Sequence, residues 1–205
     1  MKRKARIGMA AALLAMGAAA ACPQESGLGG VSRLTETGHL AREGRTSDYV
    51  IHRLPPSSFP DLPPAIADLL DRRGCLVPQT YAARHPENVV HAALENPGSV
   101  DWAVLCSVKG NVALMVFFAS AAEHPMILAT APETEHLQIH DLSGVLGFNW
   151  AIDPASPARV HQAQAGMEPR PPKLDHDALA DSVINHRTAF HFYTGDRWTL
   201  VDLPE

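Results

Sequence analysis

The sequence predicts one α+β domain over residues 55–205, a mostly antiparallel sheet with about two helices packed on it and one disulfide. Two observations carry this. Short apolar runs recur between turn-forming clusters such as Asn96-Pro97-Gly98-Ser99, Lys109-Gly110 and Gly195-Asp196, whereas only two stretches show helical spacing. The chain has 205 residues, of which 46% are hydrophobic and 19% charged, a composition that suits a single globular core.

The first residues stand outside the fold. Lys2, Arg3, Lys4 and Arg6 precede an uncharged run from Ile7 to Ala21 that ends in small residues, the pattern of a secretory signal peptide over residues 1–21. The run is shorter than the ~20 residues that span a bilayer as a helix. Ala19-Ala20-Ala21 ahead of Cys22 resembles the lipobox of bacterial lipoproteins, and the resemblance implies a lipid anchor at Cys22. The lipobox usually carries Leu where this chain has Ala19, and Pro23 is also a departure, so cleavage at an Ala-x-Ala site to release a soluble protein stays open. Residues 22–54 read as a flexible tether, with Gly27, Gly29, Gly30 and Gly38 among scattered polar residues and no sustained period, although Asp48–Leu54 could add an edge strand.

Charge narrows the partners. The formal net charge is −5, and the four cations of residues 1–21 have no acidic counterpart there, so the chain that follows carries about −9. Apart from Arg72-Arg73 it holds no Lys/Arg cluster, which excludes nucleic acid as a partner, since that needs a basic footprint to displace counterions. Membrane association is therefore expected through an acyl chain at Cys22. In an oxidising compartment the two remaining cysteines, Cys75 and Cys106, are expected to pair; the alternative is two buried free thiols.

Within the domain, Pro63 and Pro64 start a helix, Ile66, Leu69 and Leu70 give it an apolar stripe, and Gly74 stops it. Asn88–Leu94 and Trp102–Val108 are read as a hairpin across the Asn96–Ser99 turn, with Trp102, Val104, Cys106 and Val108 on one face. Val112–Phe118 is unbroken and apolar, as befits a strand covered on both sides. Met126–Thr130, Leu137–Leu142 and Val145–Ile152 supply further strands, and the proline-rich stretch 153–173 an irregular excursion with room for a short helix. Asp175 is expected to cap a second helix reaching Asn185 through Leu179, Ala180, Val183 and Ile184. Gly195-Asp196 then joins Thr188–Thr194 to Arg197–Leu203, placing His191, Tyr193, Trp198 and Leu200 on one face and Phe190, Phe192, Thr199 and Val201 on the other.

Chemistry-bearing residues are few. Among eleven histidines the densest acidic neighbourhood is Glu135, His136, His140 and Asp141. On a strand His136 and His140 would stand about 13 Å apart, too far to share an ion, and the order is not that of a zinc-protease helix. Asp175-His176-Asp177 reads as a helix start, with His176 and Asp177 placed near the His191 face of the last hairpin. Asp101 and Asp141-Leu142-Ser143-Gly144 read as turn chemistry. No phosphate loop, dinucleotide fingerprint or nucleophile elbow is present, and no cofactor is expected.

The order of the Pro64 helix, Arg73-Gly74-Cys75, Pro78-Gln79, Asn88-Val89-Val90, Asp101-Trp102-Ala103-Val104-Leu105-Cys106-Ser107 and His176-Asp177 before the Tyr193-Gly195-Trp198 hairpin resembles a group of uncharacterised exported bacterial proteins, over residues 55–202. The resemblance implies export and one domain, and brings no catalytic residue. The expected function is a non-catalytic, periplasmic binding or accessory lipoprotein of the cell envelope, whose partner is an envelope protein or a small ligand. The alternative is a periplasmic metal-assisted hydrolase drawing on His136, His140, Asp141, His176, Asp177 and His191; it requires a pocket in which at least three of these meet.

Overall fold

A computed structural model of the chain describes residues 34–204. The expected signal peptide, Cys22 and the tether up to residue 33 lie outside the described residues. The remainder is α+β, with two α-helices and three mostly antiparallel sheets. No helix among the described residues is long and apolar enough to cross a membrane.

The first sheet holds β1 (Leu34–Arg42), β2 (Arg45–Leu54), β3 (Val77–Gln79), β8 (Leu137–Ile139) and β9 (Leu146–Phe148). The tether expected through residue 54 is thus corrected: from Leu34 onward the chain is a hairpin, and the strand expected at Asp48–Leu54 is longer and internal, pairing with β1, β3 and β9. Gly38, taken as a sign of low order, lies opposite Tyr49 in the register, and a β-carbon built on it would come within 2.7 Å of the Tyr49 ring. Only glycine admits the ring, and the aromatic side chain replaces the packing that glycine lacks.

The second sheet runs β4 (Val89–Ala92), β5 (Asp101–Val108), β6 (Asn111–Phe117), β7 (Met126–Pro132). Alternation along β5 and β6 feeds two cores. Trp102, Val104, Cys106, Met115 and Phe117 meet Ile66 and Leu70 of α1 (Pro64–Arg72), while Leu105, Val112, Leu114 and Val116 face the main core with Ile51, Phe148, Trp150 and Leu179. Helix α1 begins and ends where expected, Gly74 taking φ +69 at its C-terminus. Cys75, just beyond it, is bonded to Cys106 across a Cα–Cα distance of 5.4 Å, so the expected disulfide ties the helix end to a central strand.

The third sheet runs β10 (Trp150–Ala155), β11 (Ala178–Val183), β12 (Arg187–Thr194), β13 (Arg197–Leu200). The last hairpin has the expected register, with Tyr193 opposite Trp198 and His191 opposite Leu200. The helix expected from Asp175 to Asn185 is strand β11 instead. Ala178, Leu179 and Ala180 are all fully buried, Leu179 in the main core and the two alanines against Phe190 and Phe192. A strand covered on both faces loses its alternation, and its small residues then imitate a helical stripe. Asn185, at φ +61, turns the chain directly into β12, with His186 N–H donating to Val183 O at 2.9 Å. The excursion contains α2 (Pro157–Ala163), capped by the Ser156 hydroxyl accepting from Arg159 N–H at 3.3 Å.

Candidate functional site: a cleft between the second and third sheets

The register of the third sheet assembles the site. Val183 lies opposite Trp150 and Arg187, Asp181 opposite Ile152 and Ala189, and Leu179 opposite His191, so Trp150, Asp181, Arg187 and His191 come from three strands onto one face. Ala129, Thr130 and Ala131 of β7 form the facing wall, and together they enclose a cleft of about 310 Å³.

His136 also lines this cleft. It is not on a strand, as expected, but ends a 3-10 turn over Glu133–His136 that precedes a short β8. The turn is clamped from outside. Buried Arg53 donates to both carboxylate oxygens of buried Glu133, from Nε at 2.7 Å and from the guanidinium end at 2.5 Å, and also reaches Glu36 at 2.9 Å. Arg42 donates to the carbonyls of Thr134 and Leu137. Breaking a buried ion pair leaves one charge stranded, so the turn is held firmly. His136 thereby stacks on the Trp150 indole, ring centroids 4.3 Å apart and planes 20° from parallel.

Asp181 sits at the centre. Its Oδ1 accepts from Trp150 Nε1 at 2.6 Å and its Oδ2 lies 3.1 Å from His191 Nε2. A carboxylate only accepts, so His191 donates from Nε2 and turns Nδ1 away from Asp181. That nitrogen has no hydrogen-bond partner among the described residues. Burial pushes the His136 imidazole below its ordinary pKa, Asp181 and Glu135 oppose the shift, and Arg187 adds to it. His136 is therefore a neutral ring near pH 7.

Of the six residues expected to carry chemistry, two reach this cleft, His136 and His191. His140 stacks on Tyr81 at 4.6 Å beside Gly147, where a β-carbon would come within 2.6 Å of Tyr81 Cβ and 2.9 Å of the imidazole. Asp141 accepts from the Ser143 hydroxyl at 2.5 Å and the Ser143 N–H at 2.9 Å; these bonds hold its carboxyl below the usual value, in keeping with turn chemistry. His176 packs on Phe192 at 4.4 Å and meets Asp175 at 2.7 Å and Tyr193 O at 3.0 Å. That is the face of β12 opposite His191, which corrects the expected proximity. Asp177 exchanges two hydrogen bonds with the backbone of Ala93. The hydrolase alternative required three of the six in one pocket, and among the described residues no three His, Cys, Asp or Glu side chains are placed to hold a metal ion.

Trp150, Asp181 and Arg187 were missed in the sequence. Asn185 between Ile184 and His186 was the available signal: read as a turn, it makes 178–194 a hairpin and sets Asp181 beside His191. Two other hollows, of about 360 and 340 Å³, have less apolar lining: Glu36, the paired Arg53, Ser107 and Lys109 face the first, and Glu95, Asp175, His176 and Asp196 the second. The chain's comparisons with known proteins add no function: no family model, no curated protein and no solved structure matches it.

Proposed function

We propose that the protein is a non-catalytic, exported binding or accessory protein of the cell envelope, attached by lipid at Cys22 and standing in the periplasm, with the cleft between β7 and the third sheet as its ligand site. The observation that carries the binding role is the state of Asp181. Its two oxygens are taken up by an indole and an imidazole of its own sheet. Among the described residues, no Ser, Thr or Cys side chain hydrogen-bonds His136 or His191, so neither imidazole is paired with a nucleophile it could activate. Fixed polar groups above small apolar side chains suit recognition. Export and anchoring rest on the basic, apolar and small-residue order of residues 1–22.

The test has two readouts. Cells fed a palmitate analogue and expressing the full chain are expected to label it, and to leave Cys22→Ser unlabelled; an unlabelled wild type removes the anchor. The purified protein, offered nitrophenyl ester and phosphoester substrates with and without zinc, is expected to turn over neither. Turnover that disappears in His191→Ala establishes the hydrolase reading in place of binding.

A further inference from the structure

The charges lining the cleft are unevenly satisfied. Asp181, the negative one, has both oxygens hydrogen-bonded, by the Trp150 N–H and by His191. Arg187, the positive one, is exposed and has no ion-pair or hydrogen-bond partner among the described residues. Apolar groups supply much of the remaining lining: Ala129 and Ala131 on one wall, Val183 and Ala189 on the other, and Leu200, which keeps 65% of its surface exposed at the rim. A cleft of about 310 Å³ is at the small end of ligand sites.

We propose that this cleft takes a small organic carboxylate, its acid group on the Arg187 guanidinium and its apolar body between the alanine wall and Leu200. The inference rests on the binding role above and names the ligand class. A guanidinium presents parallel N–H donors that match the two oxygens of a carboxylate, and charge-assisted pairs of this kind are stronger than neutral ones. Inorganic phosphate fits the fork equally but leaves the apolar lining in water, and a neutral isostere fits the lining but leaves the guanidinium unmatched.

Benzoate, benzamide and inorganic phosphate separate these contributions. In the isotope-labelled protein the indole N–H resonance of Trp150 reports directly on the cleft, because it is the proton bonded to Asp181. Benzoate is expected to shift it saturably, and to bind about tenfold more tightly than benzamide, the ratio that one charge-assisted hydrogen bond supplies. Arg187→Gln is expected to bring benzoate to the level of benzamide without changing the melting temperature, and Leu200→Asp to weaken both. Benzamide binding as tightly as benzoate overturns the carboxylate class while leaving a binding cleft. Phosphate binding as tightly as benzoate overturns the role of the apolar walls. If none of the three shifts the indole, the ligand class is wrong; the binding role falls separately, on turnover in the preceding experiment.

Discussion

Two aspartates divide the molecule. Asp101, at the start of β5, is fully buried and accepts backbone N–H groups from Leu94, Glu95 and Ala119 at 2.8, 2.7 and 2.9 Å, together with the Ser99 hydroxyl. Asp181, in β11, keeps 21% of its side chain exposed and contacts only side chains, the Trp150 indole and the His191 imidazole. The first holds main chain from two segments and a side-chain hydroxyl, and leaves nothing over for a ligand. The second orients rings at the edge of a cleft. A carboxylate saturated by backbone is architecture, whereas one saturated by functional side chains beside open space is material for a site.

The largest expected effect is on the Asp101 side, where Cys106 of the same strand is bonded to Cys75 at a sequence separation of 31. The chain-entropy account gives such a closure about 3.5 kcal/mol. The double replacement Cys75→Ala/Cys106→Ala is expected to lower unfolding free energy by about that amount in urea titration while leaving the Trp150 indole resonance in place. Loss of the cleft signal in a still-folded double variant would break the division between the two regions.

The aspartates themselves give the next contrast. Asp101→Ala strips an acceptor from three N–H groups, one buried and two part-buried, and with an unsatisfied buried donor costing ~1 kcal/mol or more, a loss of about 2 kcal/mol is expected. Asp181→Ala frees an indole and an imidazole next to water, and about 1 kcal/mol is expected. Equal losses in the two variants would mean that Asp181 is as structural as Asp101, and the cleft would lose its standing as a site.

The same contrast explains what could be read in the chain. The helix at Pro64, the two-faced β5 and the last hairpin were legible because each depends on local signals: prolines and glycine at helix ends, alternation, and a Gly-Asp turn; the Cys75–Cys106 bond was legible because only two cysteines follow Cys22. The first hairpin was hidden because β1 is exposed along most of its length and its glycine is packed by a residue from the other strand. Strand β11 was hidden because burial on both faces erased its alternation. That loss cost the site its centre. His136 and His191 could be singled out by type, but Asp181 joins them only through the registers that set Asp181 opposite Ala189 and Leu179 opposite His191.

The smallest expected effect tests the cleft through acid. Burial lowers the pKa of His136 in the folded protein, with Asp181 and Glu135 opposing and Arg187 reinforcing. Between the ordinary histidine value near 6.5 and the lower folded value, the unfolded chain holds the extra proton, so stability rises with pH across this window. The contribution is complete above the unfolded value and is lost as pH falls toward the folded one. His136→Phe keeps an aromatic ring over Trp150 and removes the titration. Urea midpoints taken from about pH 7.5 down to about pH 5 are expected to fall further in the wild type than in His136→Phe, which lacks the His136 proton. Parallel curves would mean that His136 meets water as freely folded as unfolded, and the turn clamped by Arg53 and Glu133 would then not bury the imidazole beside the cleft.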